Sequence, residues 1–325
     1  MPSPKSALAP AVLLSALAAA ATPPVGADLR AVQGSMAELQ PTATLHLGKT
    51  ADWVAIAPDA VWVGSTGPYA VHRIDPRNNM EAARVALPGE PCAGLAIGFG
   101  SVWVPLCARQ PALARVALAS NQLLAVLPFG TEAECGIAAS DDSIWLVTDR
   151  QGTLARIDPT TGTIRQHIRL PRGSCNPHYA RGVVWITDAS GAQLTGVDAR
   201  SGAIVATVPT GPHPRFLNDD GQALWTLNQG DGSVTRVDLE TRRPTASIAL
   251  GTPGQGGDIA AGGGMIWTSM AGTPLTAIDP ATNRVRRQWT GSGGDSLAVG
   301  HDAVWLTDYH RGNIARLPLA AIPLH

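Results

Sequence analysis

The chain has 325 residues, of which 45% are hydrophobic and 15% charged, so it contains enough apolar material for a large core. Its formal net charge of −1 excludes the strongly basic surface of a typical nucleic-acid binder and provides no general attraction to membranes. Nine Trp against three Phe and three Tyr, together with 35 Gly and 26 Pro, indicate a recurring Trp position between many turns.

Residues 1–27 have the pattern of a secretory signal peptide. Lys5 gives a short positive region, residues 7–21 are apolar, and Val25 and Ala27 are the small residues expected before a cleavage site. Cleavage after Ala21 is the alternative. The apolar stretch is too short to span a bilayer, and no later stretch is apolar enough to anchor the mature protein. We therefore expect a secreted or periplasmic protein in which residues 28–41 form an N-terminal extension.

Residues 42–48 (TATLHLG) come next and alternate between polar and apolar side chains before a Gly. This pattern predicts a β-strand. The three strands that would normally precede it in a repeat unit are missing, so its partner must lie elsewhere in the chain.

The rest of the chain is a repeat of about 40 residues, the period of a propeller or a repeat array. An aliphatic residue followed by Trp recurs seven times, at Trp62, Trp103, Trp145, Trp185, Trp225, Trp267 and Trp305. About 13 residues after most of these Trp residues, a strand ends at Asp, often followed by Pro, which is turn chemistry. Each unit therefore predicts four short antiparallel strands, labelled A to D from the inside outward, as in a propeller blade.

The two ends of the chain predict how the ring closes. After Trp305 the sequence provides a strand C and then ends without a strand D. Residues 42–48 supply the missing strand, and this pairing removes an exposed sheet edge. The sequence thus predicts an all-β, seven-bladed propeller of four-stranded antiparallel blades over residues 42–320, with the Trp residues buried between blades.

Four cysteines in an exported protein favour disulfides. Pairing the first two strands of blade two around residues 98–101 places Cys92 opposite Cys107, close enough for a bridge. Cys135 and Cys175 lie ten residues before their blade Trp residues, at matching places in blades three and four. The sequence therefore predicts the disulfides Cys92–Cys107 and Cys135–Cys175.

Ligands of propellers usually bind where the D–A and B–C loops meet around the channel, so polar groups there are candidates. Asp258 and Asp295 follow Gly-Gly pairs at the heads of two neighbouring inner strands. They could bind a divalent cation, Ca²⁺ or Mg²⁺, or act as coupled acids, although each could instead only tie its own loop. The catalytic candidates are Asp258, Asp295, His178, His213 and His310. The ligand-binding candidates are Glu134, Asn176, Arg215, Asn228, Gln229 and Asp308.

The repeat (VWV…RIDP…LG) resembles the YVTN-repeat and streptogramin-lyase-like (virginiamycin B lyase-like) propellers over residues 43–318. The resemblance implies a seven-bladed fold and, from its lyases, an inner-strand His 11 residues before a blade Trp, a Glu three residues after one, and Mg²⁺. None of the seven positions 11 residues before a blade Trp is His, and none of the seven positions three residues after one is Glu. That set of catalytic residues does not carry over.

Two functions follow as hypotheses. In the first, the channel mouth binds a small molecule, a cation or a protein partner without turning it over. In the second, the same face carries out a lyase or hydrolase step, with or without a divalent cation. The absence of the usual nucleophile motifs favours the binding hypothesis, and a monomer is expected.

Overall fold

The computed structural model describes residues 29–324. Within this range the chain forms seven sheets, each built around four antiparallel strands, that succeed one another around a central channel. The predicted seven-bladed all-β propeller is therefore confirmed. The predicted signal peptide lies outside the described residues.

The strands of each blade follow the predicted order from the channel outward. The inner A strands are Thr50–Ala57, Ala96–Gly98, Ile137–Ala139, Ser174–Ala180, Pro214–Asp219, Asp258–Gly262 and Leu297–Gly300. The B strands are Ala60–Thr66, Ser101–Cys107, Ile144–Val147, Val183–Asp188, Ala223–Asn228, Met265–Met270 and Ala303–Asp308. The C strands are Ala70–Asp75, Ala112–Ala117, Thr153–Ile157, Gln193–Asp198, Ser233–Asp238, Thr273–Asp279 and Asn313–Pro318. The D strands of blades one to six are Met80–Ala86, Leu123–Leu127, Ile164–Arg169, Ile204–Pro209, Arg243–Ala249 and Arg284–Thr290.

The repeated sequence motif explains how each blade is held. All seven repeat Trp residues are at most 1% exposed, as the core interpretation predicts. In several blades the Arg that precedes the Asp of strand C lies directly opposite this Trp and covers its ring, for example Arg156 at 5.4 Å from the ring centre of Trp145. The Asp then accepts hydrogen bonds from the following turn, as Asp158 does from Thr160 N at 2.7 Å.

The N-terminal strand closes the ring as predicted. Ala43–His46 pairs antiparallel with Asn313–Pro318 and forms the outer strand of blade seven. Leu47, immediately after it, is buried between blades seven and one. Because the first and last parts of the propeller share one sheet, the ring is closed by backbone hydrogen bonds.

The N-terminal extension has a structure that the sequence did not predict. Gln33–Ser35 adds a fifth strand, parallel, to the outer edge of blade six. A short helix, Met36–Glu38, follows; Ser35 caps it, and Glu38 forms an ion pair with Arg287 at 3.0 Å. Leu39 then packs into the apolar cluster that contains Trp289. The extension therefore covers a sheet edge that would otherwise be open.

Helix is confined to four single turns in the described part of the chain, at Leu29–Val32, Met36–Glu38, Tyr309–Arg311 and Leu319–Ala321. None of the helices within residues 29–324 is long and apolar enough to cross a membrane. The apolar residues are instead concentrated between adjacent blades.

Both predicted disulfides are present, with Cα–Cα distances of 5.5 Å for Cys92–Cys107 and 5.0 Å for Cys135–Cys175. The first lies within blade two, where the inner strand is interrupted: a short segment, Glu90–Pro91, pairs with Cys107 and Leu106 before Ala96–Gly98 resumes the ladder. The pairing of the segment Glu90–Pro91 is shifted by two residues from the predicted register, so Glu90, and not Cys92, lies opposite Cys107. The second disulfide joins blades three and four.

Candidate ligand-binding site

The inner strands run along the channel, so position relative to the blade Trp gives the depth of a residue. Residues ten or more positions before the Trp lie at the end formed by the D–A and B–C loops, here called the upper mouth. The upper mouth is defined by Asp52, Glu134, Arg215, Asp295 and Tyr309. Residues six or seven positions before the Trp lie toward the opposite, lower end.

Three aspartates from consecutive blades, Asp258, Asp295 and Asp52, lie at or just inside the upper mouth. They are half-buried, and each accepts at least one backbone hydrogen bond. Asp295 accepts from Gly257 N at 2.8 Å, and Asp52 from Trp53 N at 2.8 Å. The predicted Asp258–Asp295 pair thus extends to a third carboxylate from blade one.

The surroundings of these carboxylates raise their pKa values. Burial, which separates the charge from water, raises the pKa of Asp258 to about 7. Burial and then the negative charge of Asp295 raise the pKa of Asp52 well above its usual value. Burial and the charge of Glu134 also raise the pKa of Asp295, whereas His310 lowers it. The upper mouth therefore has a deficit of positive charge.

Asp258 is also a tie between blades. Its Oδ1 accepts a hydrogen bond from Ile259 N, and its Oδ2 accepts from Ser296 Oγ at 2.8 Å and from Leu297 N at 3.3 Å. Ser296 Oγ in turn accepts from Val54 N at 3.2 Å. Hydrogen bonds through Asp258 thus connect blades six, seven and one.

A divalent cation at Asp258 and Asp295 stays a prediction. Among residues 29–324, no three His, Cys, Asp or Glu side chains form a group that could hold a metal ion. Both carboxylate oxygens of Asp258 already accept hydrogen bonds. The carboxylate oxygens that remain available at the upper mouth therefore suit a charged or polar ligand group that makes few direct contacts. They suit a dehydrated metal ion less well, because it needs several oxygen ligands.

Arg215 provides a positive charge at the upper mouth. Its guanidinium donates to the carbonyl of Glu134 at 2.8 Å and lies 3.9 Å from the Glu134 carboxylate. It also contacts the Cys175 sulfur of the second disulfide at 3.4 Å. Burial lowers the pKa of Arg215, against the attraction of Glu134. Glu134 and Arg215, two of the predicted ligand-binding residues, are therefore both at the mouth, where they bind each other.

The B–C turn of blade seven covers one side of the mouth. Asp308 accepts from Arg311 N at 3.2 Å and so caps the turn Tyr309–Arg311. His310 is exposed and stacks edge-on against Tyr309, with ring centres 5.3 Å apart. Burial and then the charge of Asp52 raise the pKa of Tyr309, so its hydroxyl stays protonated as a hydrogen-bond donor beside the acidic residues. His310 is at the predicted face, whereas Asp308 has a structural role.

Two of the predicted ligand-binding amides are buried structural groups. Asn228 is 0% exposed and donates to Ser233 Oγ and Thr235 Oγ1 on the neighbouring strand. Asn176, which is 5% exposed, accepts from Gly136 N of blade three and donates to the carbonyl of Arg215 in blade five. Gln229 is half-buried at the mouth and donates to the carbonyl of Gly256 at 2.9 Å.

The two remaining His candidates do not join Arg215. His213 is exposed in the loop before the inner strand of blade five. His178 lies within the inner strand of blade four, seven residues before Trp185, and its Nε2 is 2.7 Å from Asp219 Oδ2. At about 3.3 Å per residue, the four steps from Ser174 to His178 place the backbone of His178 about 13 Å from the loop level. His178 therefore faces the lower half of the channel, which corrects its predicted place in a D–A loop.

Trp53 is the main channel residue that the motif search missed. It lies nine residues before Trp62, at a β-bulge, with a left-handed φ of +57°. Its indole meets Phe216, from the opposite side of the ring, at 6.2 Å between ring centres. Gly94 and Gly136 occupy the equivalent position in the next two blades; a Cβ on Gly94 would lie 3.9 Å from the Trp53 ring, and one on Gly136 would lie 2.8 Å from Asn176 Oδ1. Its position outside the Trp repeat was the available signal.

A cavity of about 400 Å³ extends from the level of Trp53 toward the lower end of the channel. Its walls are mainly aliphatic, including Ile97, Leu217 and Val299. The polar side chains that line it toward the lower end are His178 and Asn218. The channel thus has an acidic upper end and a lower half in which aliphatic side chains accompany polar groups.

Comparison of the sequence with protein-family models and with curated proteins gave no match. The likeness to the YVTN-repeat and streptogramin-lyase-like propellers therefore rests on the repeat motifs and the seven-bladed fold. A fold of this kind does not by itself determine a function.

Proposed function

We propose that this propeller is a binding protein that captures a positively charged ligand at the upper mouth. The observation that carries the proposal is the convergence of Asp52, Asp258 and Asp295 from three blades, with raised pKa values caused by burial and, for Asp52, by the charge of Asp295. A ligand cation would relieve this repulsion and favour the ionised carboxylates. Tyr309 and Glu134 lie close enough to affect the same charges.

The test measures binding of Ca²⁺, Mg²⁺ and 1,3-diaminopropane by isothermal titration calorimetry at pH 8. Asp295→Asn removes one mouth charge and should weaken the preferred cation about tenfold, since charged contacts in a shielded site are strong. Asp59→Asn is the matched control, because Asp59 is exposed and pairs with Arg73 away from the mouth. Equal weakening in both variants, or no binding by any of the three cations, would contradict the proposal.

A second candidate function is general acid–base catalysis at the same mouth. The observation that favours it is the carboxyl of Asp258, whose pKa of about 7 suits proton transfer near neutral pH. It would support a lyase or hydrolase step on a substrate whose cationic group is held by Asp52 and Asp295. A screen of lactones, esters and lyase substrates tests it: activity that persists in Asp258→Asn would exclude this role for Asp258.

We also propose that the protein acts outside the cytoplasm. The two disulfides are compatible with an oxidising compartment, where such bonds persist. Mass spectrometry of the protein recovered from the periplasm or medium of an expressing cell should show a mature N-terminus at residue 28 or 22 and no free thiol. An intact residue 1 on a reduced cytoplasmic protein would argue against export.

A further inference from the structure

The lower half of the channel has the composition of a small-molecule site. It is concave, and mainly aliphatic side chains line it together with polar groups that can orient a ligand. Its volume of about 400 Å³ is sufficient for a molecule with one aromatic ring. Asp258 and Ser296 line its upper rim, whereas Asp52 and Asp295 do not line it. The cavity therefore adjoins the upper mouth and extends below it.

The polar wall of this cavity is fixed by hydrogen bonds that leave defined atoms available. Burial opposes ionisation of Asp219, but the hydrogen bond and charge of His178 outweigh it and lower the pKa of Asp219. An ionised carboxylate only accepts, so His178 Nε2 donates to it, and in the neutral imidazole Nδ1 is then an acceptor. The orientation of His178 is thus set by blade five.

Asn218 is oriented in the same way. Its Oδ1 accepts from Asp219 N at 3.0 Å and from Ala261 N of blade six at 3.4 Å. This fixes the amide so that Nδ2 is the donor turned away from these backbone groups. One acceptor, His178 Nδ1, and one donor, Asn218 Nδ2, therefore lie on adjacent strands of the cavity wall.

We propose that the lower half of the channel binds a small, uncharged molecule that combines an apolar part with an amide-like donor and acceptor. The ligand carbonyl accepts from Asn218 Nδ2, and its N–H donates to His178 Nδ1. The aliphatic walls hold the apolar part, and the Trp53–Phe216 pair lies at the upper limit of the cavity. This site adjoins the cation site at Asp258, but its donor and its acceptor, on Asn218 and His178, belong to residues outside the cation site.

The test uses benzamide and its near-isostere acetophenone, which has a methyl group in place of the amide NH₂. Binding is measured by saturation-transfer NMR and calorimetry at pH 8. We expect benzamide to bind about tenfold more tightly than acetophenone, because the ketone leaves a polar group of the site unpaired. Benzoate should bind more weakly than benzamide, because its charge faces an acceptor and the nearby Asp219.

The matched variants are Asn218→Asp and Asp295→Asn. Asn218→Asp keeps the oxygen that accepts from Asp219 N and Ala261 N but removes the donor, so benzamide should weaken about tenfold. Asp295→Asn, at the upper mouth, should leave benzamide binding unchanged. Because the added charge in Asn218→Asp can lower stability, Ala298→Leu serves as a second variant that fills the cavity and should abolish binding. Failure of benzamide to bind at millimolar concentration, tighter binding of benzoate, or full binding by Ala298→Leu would overturn the proposal.

Discussion

Asp258 determines how the stability of the protein depends on pH. Its pKa of about 7 in the folded state exceeds its ordinary value of 3.8, so the folded protein binds more protons than the unfolded chain between these values. The contribution of Asp258 to the free energy of unfolding is then fully present below pH 4. It falls as the pH rises toward 7, by up to about 1.4 kcal/mol per pH unit for one proton. The raised pKa values of Asp52 and Asp295 act in the same direction.

We therefore expect Asp258→Asn to be less stable than the wild type at pH 4. The difference in free energy of unfolding between the two proteins should become smaller by pH 8. The amide keeps an oxygen for Ile259 N, loses the acceptor for Leu297 N, and no longer ionises. Urea denaturation at several pH values measures the difference, with Asp59→Asn as the control that should show no such change. A pH-independent difference between Asp258→Asn and the wild type would contradict the assignment.

Trp53 provides a second test at the scale of one residue. A left-handed φ of +57° costs a side chain about 1–2 kcal/mol, whereas glycine adopts it freely. Replacing Trp53 by either Ala or Gly removes the contact with Phe216, so the two variants differ mainly in backbone preference. Trp53→Gly should be about 1 kcal/mol more stable than Trp53→Ala, the reverse of the usual order within a strand. Thermal unfolding of both proteins measures this, and the usual order would show that the backbone there is unstrained.

At the scale of elements, the two disulfides differ in what they connect. Cys92–Cys107 closes a loop with a sequence separation of 15 within one blade, whereas Cys135–Cys175 spans 40 residues and joins two blades. Chain entropy alone assigns about 3 kcal/mol to the first and about 4 kcal/mol to the second.

Cys135→Ser with Cys175→Ser should therefore destabilise the protein at least as much as Cys92→Ser with Cys107→Ser. It should also disturb the upper mouth, because Arg215 contacts Cys175 there. Guanidinium denaturation gives the stabilities, and cation binding reports on the mouth. A larger loss of cation binding in the Cys92 and Cys107 variant would argue against this assignment.

The N-terminal segment contributes two elements with separate effects. Gln33–Ser35 covers the edge of blade six, and Leu39 covers the cluster around Trp289. Deleting residues 29–40 should lower the melting temperature but leave a closed ring, because Ala43–His46 still pairs with blade seven. Deleting residues 29–47 should prevent cooperative folding. Calorimetry of both deletions tests this, and equal melting temperatures for the full chain and the shorter deletion would show that the extension adds no stability.

These elements also show what the sequence could predict. The Trp period predicted seven blades and the closing strand because every blade must bury the same side chain against its neighbour. The extra strand at Gln33–Ser35 was not predicted, since three residues carry no periodicity. The structural roles of Asn176 and Asn228 were not predicted either, because their partners are distant in sequence or on another strand. Asn176 bonds to Gly136 N and to the Arg215 carbonyl in other blades. Asn228 bonds to Ser233 and Thr235 on the adjacent strand. The depth of His178 was encoded in its distance from Trp185, which the loop assignment did not use.

At the scale of the whole molecule, the charge is nearly balanced but unevenly distributed. The formal net charge is −1, yet Asp52, Asp258, Asp295 and Glu134 are gathered at one end of the channel. Charge pairs elsewhere, such as Arg156 with Asp142, compensate at the surface. A cation at the upper mouth therefore acts on the free energy of unfolding of the entire ring, because three blades contribute to its site.

This arrangement predicts that ligand stabilisation depends on pH. At pH 5 the carboxyl of Asp258, with its pKa of about 7, is largely protonated, and the raised pKa values of Asp52 and Asp295 also favour protonation, so a cation gains less by binding than at pH 8. At pH 8 ionisation lowers stability, and a bound cation offsets the loss by about 2.7 kcal/mol at a concentration one hundred times its dissociation constant. The melting temperature should thus respond to the preferred cation at pH 8 and hardly at pH 5. Asp295→Asn should reduce the response at pH 8, whereas Asp59→Asn should not, and an equal response at both pH values would mean that the cation binds outside the acidic mouth.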